Sequence, residues 1–444
     1  MAFQVSPGVL VQERDLTRII PAVSTAIGAF AGSFNKGPLD EIVSISSEQE
    51  LVETFGKPDS SNFEYFFSAA NFLQYSNSLR VVRATQTSAV NASTSGTGVL
   101  IKNTDDWTNN YASGGSAGNA DFVAREAGTD GNNLLVSVCP SATAYEQNAV
   151  TTLNDSSTAV GDTTVTFTSG TGTNVGDIIS FSTTAGTNDY DDGEQYRVTA
   201  ISTNDITIVQ HPRGTGGLKR VLTDGCNIRR RWRYYDSVDG APGTSAYVSD
   251  RNGSGDELHV VVVDEDGGIS GVPGTILETY SNVSKASDAK DPQGNDNYYP
   301  NVIYTKSRHI FWTKHNSSGS NWGNAASGTT YTAVNTPTSE SLSGGSNGST
   351  VTTGQLKDAY DKFADSETVD VGLIIAGPCD ATHIENLITI AENRKDCVAF
   401  VSPERADVVN VTNSNTQKQN VIDFYSSISS SSYVTFDSGY KYMY

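Results

Sequence analysis

Cysteine is scarce and scattered: four in 444 residues, at 139, 226, 379 and 397, with no C-x-x-C pair. That spacing excludes a dense disulfide framework. Cys379 and Cys397 lie in apolar, strand-like contexts where a buried free thiol is the plain reading. Cations are also short: 29 Lys and Arg stand against 50 Asp and Glu, a formal charge of −21. A wide nucleic-acid surface needs clustered Lys and Arg, so no nucleic-acid partner is expected. The same charge suits a protein that stays soluble at high concentration before it assembles. No run of about 18 apolar residues occurs, so no direct membrane insertion is expected. The opening Met1–Pro7 has neither the basic nor the apolar region of a secretory signal, and a soluble product of a reduced compartment is expected. A G-x-x-x-x-G-K-[ST] loop is missing, which removes the usual basis for nucleotide hydrolysis. The five histidines (His211, His259, His309, His315, His383) show no zinc-ligand spacing, so neither metal nor cofactor is expected.

What is present is glycine (41 residues), many Ser, Thr and Asn, and an aromatic complement of 20 Tyr, 16 Phe and 4 Trp. The polarity alone would fit disorder, but the aromatics argue for packed domains, β-rich with long turns. The length predicts two to four of them.

The densest apolar stretch runs from Asn62 to Tyr75. Phe63, Phe66, Phe67 and Ala70 fall at i, i+3, i+4 and i+7, which predicts a helix. Ser76-Asn77-Ser78 breaks it, and Leu79–Ala84 follows as a β-branched strand. A helix feeding a buried strand is half of an α/β layer, and the other half is expected beyond residue 350.

Residues 1–19 read as an extended arm. Phe3, Val5, Val9 and Val11 alternate, with Leu10 beside them, around the turn-forming Pro7-Gly8. Such an arm can pair with its own domain or with a neighbour. Thr25–Ala31 and Glu41–Ile45 read as strands. Ser47 and Glu50 predict a capping box opening the helix Glu48–Phe55, which Gly56 stops. After Ala84 the chain turns polar, with one strand at Gly98–Ile101 and another before Val138. Residues 145–222 alternate with period two between Gly, Asn and Asp turns, the pattern of a small barrel. Glu257–Asp264 is the strongest later strand, Gly274–Tyr280 and Asn301–Tyr304 are read as further ones, and 316–350 as loop or linker. Beyond 350 helices and strands alternate again: a helix through Thr353–Phe363, strand Val369–Ala376, helix Asp380–Arg394, strand Cys397–Val401 and a helix at Val421–Ser429.

The fold class is therefore α+β multidomain. A discontinuous α/β core domain (20–86 and 350–444) carries a β-rich inserted domain (87–144 and 223–349). A small β-barrel (145–222) is nested within that insertion and is expected to be outermost.

The motifs that could carry chemistry have plainer readings. Gly114-Gly115-Ser116-Ala117-Gly118 matches G-x-S-x-G, but no apolar strand precedes it and no helix follows, so loop is the reading. Asp250, Asn252, Ser254 and Gly255 resemble the start of a calcium loop whose twelfth position is Val261, so a polar turn is expected. Asp264, Glu265 and Asp266 read as a solvated turn. Arg394-Lys395-Asp396 ends a helix, where cations complement the dipole. Arg229–Tyr235 is one basic–aromatic cluster; in so acidic a chain it reads as a subunit contact or internal ion-pair patch rather than a stacking platform for nucleic acid. No catalytic set remains, and the protein is not expected to be an enzyme.

Asn71–Ala84 closely resembles the tail sheath proteins of contractile-tailed, T-even-like phages. So do Ser6-Pro7-Gly8, Phe55-Gly56-Lys57-Pro58, Glu367–Val371, Arg394–Cys397 and Tyr440-Lys441-Tyr442, in family order. The resemblance is weak at 145–222, where the family inserts surface domains. It implies a structural subunit that forms hexameric rings stacked in a helical sheath around the tail tube protein. It also implies baseplate and tail terminator partners, assembly in the host bacterial cytoplasm, and residence in the virion. On a baseplate trigger such a sheath shortens and drives the tube through the host envelope, without nucleotide. The arm, through Phe3, Val5, Val9, Leu10 and Val11, is implied to add a strand to a neighbouring subunit. Family members continue past the segment matching Tyr440–Tyr444 into a domain that receives those strands; the sequence as given stops there, and a largely monomeric species is expected of it. The alternatives are a sheath of a related contractile injection system (type VI secretion or tailocin-like) and a carbohydrate- or receptor-binding β-rich protein with an aromatic-lined groove. A hydrolase reading would rest on Ser116 alone.

Overall fold

The structure is a computed structural model that describes residues 27–113 and 120–440. It divides into two compact units. The first takes the chain up to Phe34, then Asp40–Thr85 and Thr350 onward; the second takes Asn35–Leu39 and Gln86–Ser349.

The first unit is built on a six-stranded sheet in the order Val434–Phe436, Val398–Val401, Leu373–Ile375, Gly28–Gly32, Leu79–Arg83, Ile42–Ile45. All neighbours are parallel except Ile42–Ile45, which runs antiparallel at one edge. Gly28–Gly32 is the seam between distant parts of the chain, because Gly28 pairs with Leu79 on one side and with Leu373 on the other. Its alternation serves two cores, as a strand covered on both faces requires. Phe30 joins Phe34, Leu51, Phe55, Phe66 and Val81 under the helices Glu48–Phe55 and Phe63–Leu73. Ala29 and Ala31 join Leu356, Tyr360, Ile374, Ile384 and Leu387 under Thr353–Tyr360 and Ala381–Arg394. Gly28 is needed for close approach: a Cβ there would stand 2.6 Å from the Phe72 ring.

Local signals set the helix ends. Ser47 Oγ accepts from the Glu50 amide, but Glu50 reaches back to Ser46 rather than to Ser47. The complete reciprocal capping box is Thr352 with Gln355. Phe66 and Ala70 of the aromatic stripe are buried, whereas Phe63, at the first position of its helix, is 37% exposed and lies under the Arg405 guanidinium.

The second unit has three sheets. Strands Glu146–Thr152, Cys226–Arg231, Ile178–Ala185, Gln195–Ser202, Asp205–His211 and Thr164–Thr166 form an antiparallel sheet in that spatial order. Its outer strands meet where Leu153 bridges Phe167 and where Thr168 N donates to Thr152 O at 2.8 Å. Phe167, Ile179, Phe181, Tyr196, Ile206 and Ile228 fill the interior. The sheet takes in Cys226–Arg231, past residue 222 where the period-two reading stops. Successive arginines hide that strand's apolar half, Cys226 and Ile228.

A four-stranded antiparallel sheet runs Thr275–Ser284, Glu257–Asp264, Leu134–Cys139, Thr338–Ser341, and Phe122–Ala124 pairs with Ile310–Trp312. Three expectations fail in this unit. Asn301–Tyr304 is helical, within Tyr299–Lys306; a short apolar run does not distinguish the two states, and Pro300 at the start of the helix is the signal that does. Gly98–Ile101 forms only a bridge, Val99 to Asn91. The 316–350 stretch is no linker: it supplies the strand Thr338–Ser341 and buries Trp322, Ala326, Tyr331 and Leu342.

Candidate assembly surfaces

The residues expected at a subunit interface, Phe3, Val5, Val9, Leu10 and Val11, lie outside the described residues, as do Ser116 and its flanking glycines 114, 115 and 118.

The Arg229–Tyr235 cluster is an internal device. Arg229 and Arg231 alternate on one side and pair with Asp192 and Glu146. Arg230 and Trp232 point to the other and are both fully buried. The Arg230 guanidinium donates to the carbonyls of Thr143 (2.8 Å), Ala144 (3.0 Å) and Asn335 (3.1 Å). With Arg229 and Arg231 in ion pairs, Arg230 on carbonyls and Arg233 over the Tyr234 ring, the run offers no clustered basic face for a phosphate backbone.

Asp264 departs from the solvated-turn reading. It is fully buried, and its carboxylate accepts from Ile269 N, Ser270 N and Ser270 Oγ. Burial alone would raise its pKa, but these hydrogen bonds outweigh that and hold it below the ordinary carboxylate value. The turn it braces displays Val272 at 62% exposure. Arg394 is likewise buried and bonds the carbonyls of Phe363, Asp365 and Val369, closing the loop that leads to the Leu373–Ile375 strand. Lys395 takes the left-handed cap, φ 63°.

At the carboxyl ends of the parallel strands, where open α/β sheets bind ligands, lies a shallow groove of about 720 Å³. Glu64, Cys379, Asp380, Glu404 and Arg405 line it. Its chemistry is mute. Arg405 is paired with Glu64 at 2.5 Å. Burial, with Asp380 and Glu404 adding to it, pushes the Cys379 thiol up to about 12, so it stays protonated. Among the described residues no group of three or more His, Cys, Asp or Glu is placed to hold a metal, and no helix is long and apolar enough to cross a membrane.

Apolar side chains remain on the surface of the α/β unit. Helix Ser414–Ser426 buries none of its residues, and Tyr425 is 54% exposed. Phe400 projects from the Val398–Val401 strand at 43% exposure. Sequence reasoning reached these positions but did not mark them as surface; a strand residue of opposite parity to the buried Ala399 and Val401 was the available signal. In the six-stranded sheet, by contrast, the large aromatics Phe167, Phe181 and Tyr196 are buried, and the exposed large apolar residues of 145–222 are Val160 and Val175 with Val221. An aromatic-lined carbohydrate groove is not what this surface presents.

Comparison with known proteins finds sequence similarity to tail sheath proteins. Residues 25–84 match the family described as tail sheath protein Gp18 domain III N-terminal region. The chain is 28% identical to the tail sheath protein of Enterobacteria phage T4, over 99% of this chain and 69% of that protein. It is 26% identical to that of Salmonella phage ViI, over 100% and 67%, and 40% identical to that of Vibrio phage KVP40 over 78 residues, 18% of this chain and 12% of that one. A sheath tail protein of Listeria innocua overlays 86% of this chain and 48% of its own at 9% identity and a TM-score of 0.31. One of Desulfitobacterium hafniense overlays 90% and 54% at 8% identity and 0.30. The chain thus spans about two thirds of the length of the T4 and ViI relatives and about half that of the solved structures. Along nearly its whole length the chain is similar to phage tail sheath proteins.

Proposed function

We propose that the chain works as a T4-like sheath subunit whose polymer surrounds the tail tube and contracts to drive that tube through the host envelope. The similarity to the T4 and ViI sheath proteins along nearly the whole chain supports this reading most directly. Subunits stack as hexameric rings; tail tube, baseplate and tail terminator proteins are the partners, and assembly takes place in the host bacterial cytoplasm. No residue performs chemistry. The energy of contraction lies in subunit interfaces that rearrange between two assembled states. The arm carrying Phe3, Val5, Val9, Leu10 and Val11 adds a strand to a neighbour. The six-stranded module is the outermost part of a nested insertion, carried on a β-rich domain that is itself carried on the α/β core.

The test is negative-stain microscopy of the intact gene product expressed with the tail tube protein. Striated tubes are expected. A dispersed population at every protein and salt concentration would overturn the proposal. Replacing Val5, Val9 and Val11 together by Asp should leave folded subunits that no longer form tubes.

A further inference from the structure

The basic–aromatic run sits at a seam inside the second unit, between the six-stranded and the four-stranded sheets. Arg230, from the second strand of the six-stranded antiparallel sheet, reaches the carbonyls of Thr143 and Ala144, just beyond the strand Leu134–Cys139, and of Asn335, just before the strand Thr338–Ser341. Trp232 Nε1 donates to Ser137 Oγ at 2.8 Å, and its ring packs with Leu135, Cys139, Val261 and Val263 of the four-stranded sheet. Asn174 Nδ2 donates to Pro337 O at 2.8 Å.

One carboxylate lies in this seam. Asp177 is 2% exposed. Its carboxylate accepts one hydrogen bond, from Asn174 N at 2.8 Å, and no Lys or Arg nitrogen among the described residues comes within salt-bridge reach. The turn carrying it requires glycine at 176, where φ is 98° and a Cβ would meet the Arg233 side chain at 2.6 Å. A buried carboxylate with so little direct support is costly to ionise.

We propose that Asp177 makes the docking of the two sheets proton-linked: uptake of one proton tightens the seam, and its release loosens it. The charged and titratable groups that face Asp177 are Arg230, Arg233 and Cys139. Burial raises Asp177 to about 7 although Arg230, the Asn174 amide and Arg233 all pull the other way. Cys139 is pushed up to about 12 by burial and stays neutral throughout. The sign follows from linkage. A carboxyl whose folded value is raised favours the closed seam while it is protonated, and that advantage is lost as pH rises from its ordinary value near 4 towards about 7. One proton corresponds to roughly a tenfold change in the opening equilibrium per pH unit.

Hydrogen exchange of the peptides covering 174–180 and 229–235, read by mass spectrometry on the full chain and divided by the intrinsic rate at each pH, measures that opening. The wild type should open roughly tenfold more per unit between pH 5 and 7 and level off above pH 8. Asp177→Asn, which keeps the shape and removes the titration, should be flat across the range. A flat wild-type profile overturns the proposal without the variant. An Asp177→Asn profile as steep as the wild type overturns it as well, by assigning the slope to another group.

Discussion

Two histidines, fully buried His383 in one unit and half-buried His315 in the other, show how differently the units are closed. His383 of the α/β unit is fully buried against the Tyr360 ring, with centroids 5.0 Å apart, and neither of its ring nitrogens has a hydrogen-bond partner among the described residues. His315 of the β-rich unit is bonded through both nitrogens, Nδ1 to the Tyr299 hydroxyl at 2.6 Å and Nε2 to that of Tyr298 at 3.1 Å. Burial depresses both to about 4. The α/β unit packs a titratable ring as if it were apolar, while the β-rich unit builds a polar network around one. Parallel strands covered by helices on both faces leave few polar groups to pair with. Short antiparallel strands joined by long loops bring hydroxyls and carbonyls into the interior, and each must be satisfied there.

The largest expected effect tests whether the units stand on separate cores. Tyr360→Ala removes a fully buried ring whose hydroxyl donates to Ile375 O, and should cost the α/β unit about 4 kcal/mol. All four tryptophans (107, 232, 312 and 322) lie in the β-rich unit, so Trp fluorescence on urea titration reports that unit alone. Its midpoint should be unchanged while exchange protection of the Ala381–Arg394 helix collapses. Equal shifts in both would merge the two cores into one.

Acid should then separate the histidines. His383 carries a depressed folded value, so its contribution is complete above the ordinary value near 6.5 and is lost as pH falls towards about 4. That is about 3 kcal/mol from the α/β unit. His383→Leu should abolish this slope at little or no cost at pH 7. His315→Phe, by removing one partner from each of two tyrosine hydroxyls, should destabilise the β-rich unit by about 2 kcal/mol at pH 7. If His383→Leu proved the costlier of the two at neutral pH, the contrast drawn between the units would be wrong.

The smallest effect concerns helix ends. Thr352→Ala breaks a complete capping box and should cost about 1 kcal/mol. Ser47→Ala loses one hydrogen bond of 3.2 Å and should cost less, since Glu50 is held by Ser46. Exchange protection of the two helices ranks them directly.

Which parts were legible in the sequence follows the same division. The helix Glu48–Phe55 and the strand after Phe63–Leu73 could be read because one period dominates each and caps mark the ends. Cys226–Arg231 could not be placed inside a sheet, because its charges are neutralised by Asp192, Glu146 and carbonyls distant in sequence. Asp177 had no signal at all: Asn174–Asp177 is an ordinary turn sequence, and only burial against the next sheet makes its carboxyl unusual. Asp264 was misread for the converse reason, since neighbouring glycines suggest a wet turn whereas the amides of Ile269 and Ser270 fold back onto it.

The central strand Gly28–Gly32 also sets a clock. Its partner Leu373 is made about 345 residues later. At roughly 5–20 residues per second a ribosome needs on the order of 20 to 70 s to supply it. Over that interval the β-rich unit, made entirely between the two, has time to fold first. The Gly28–Gly32 strand meanwhile keeps one edge without its final neighbour, a reason for so short a strand to carry glycine at both ends rather than β-branched residues that would recruit another chain.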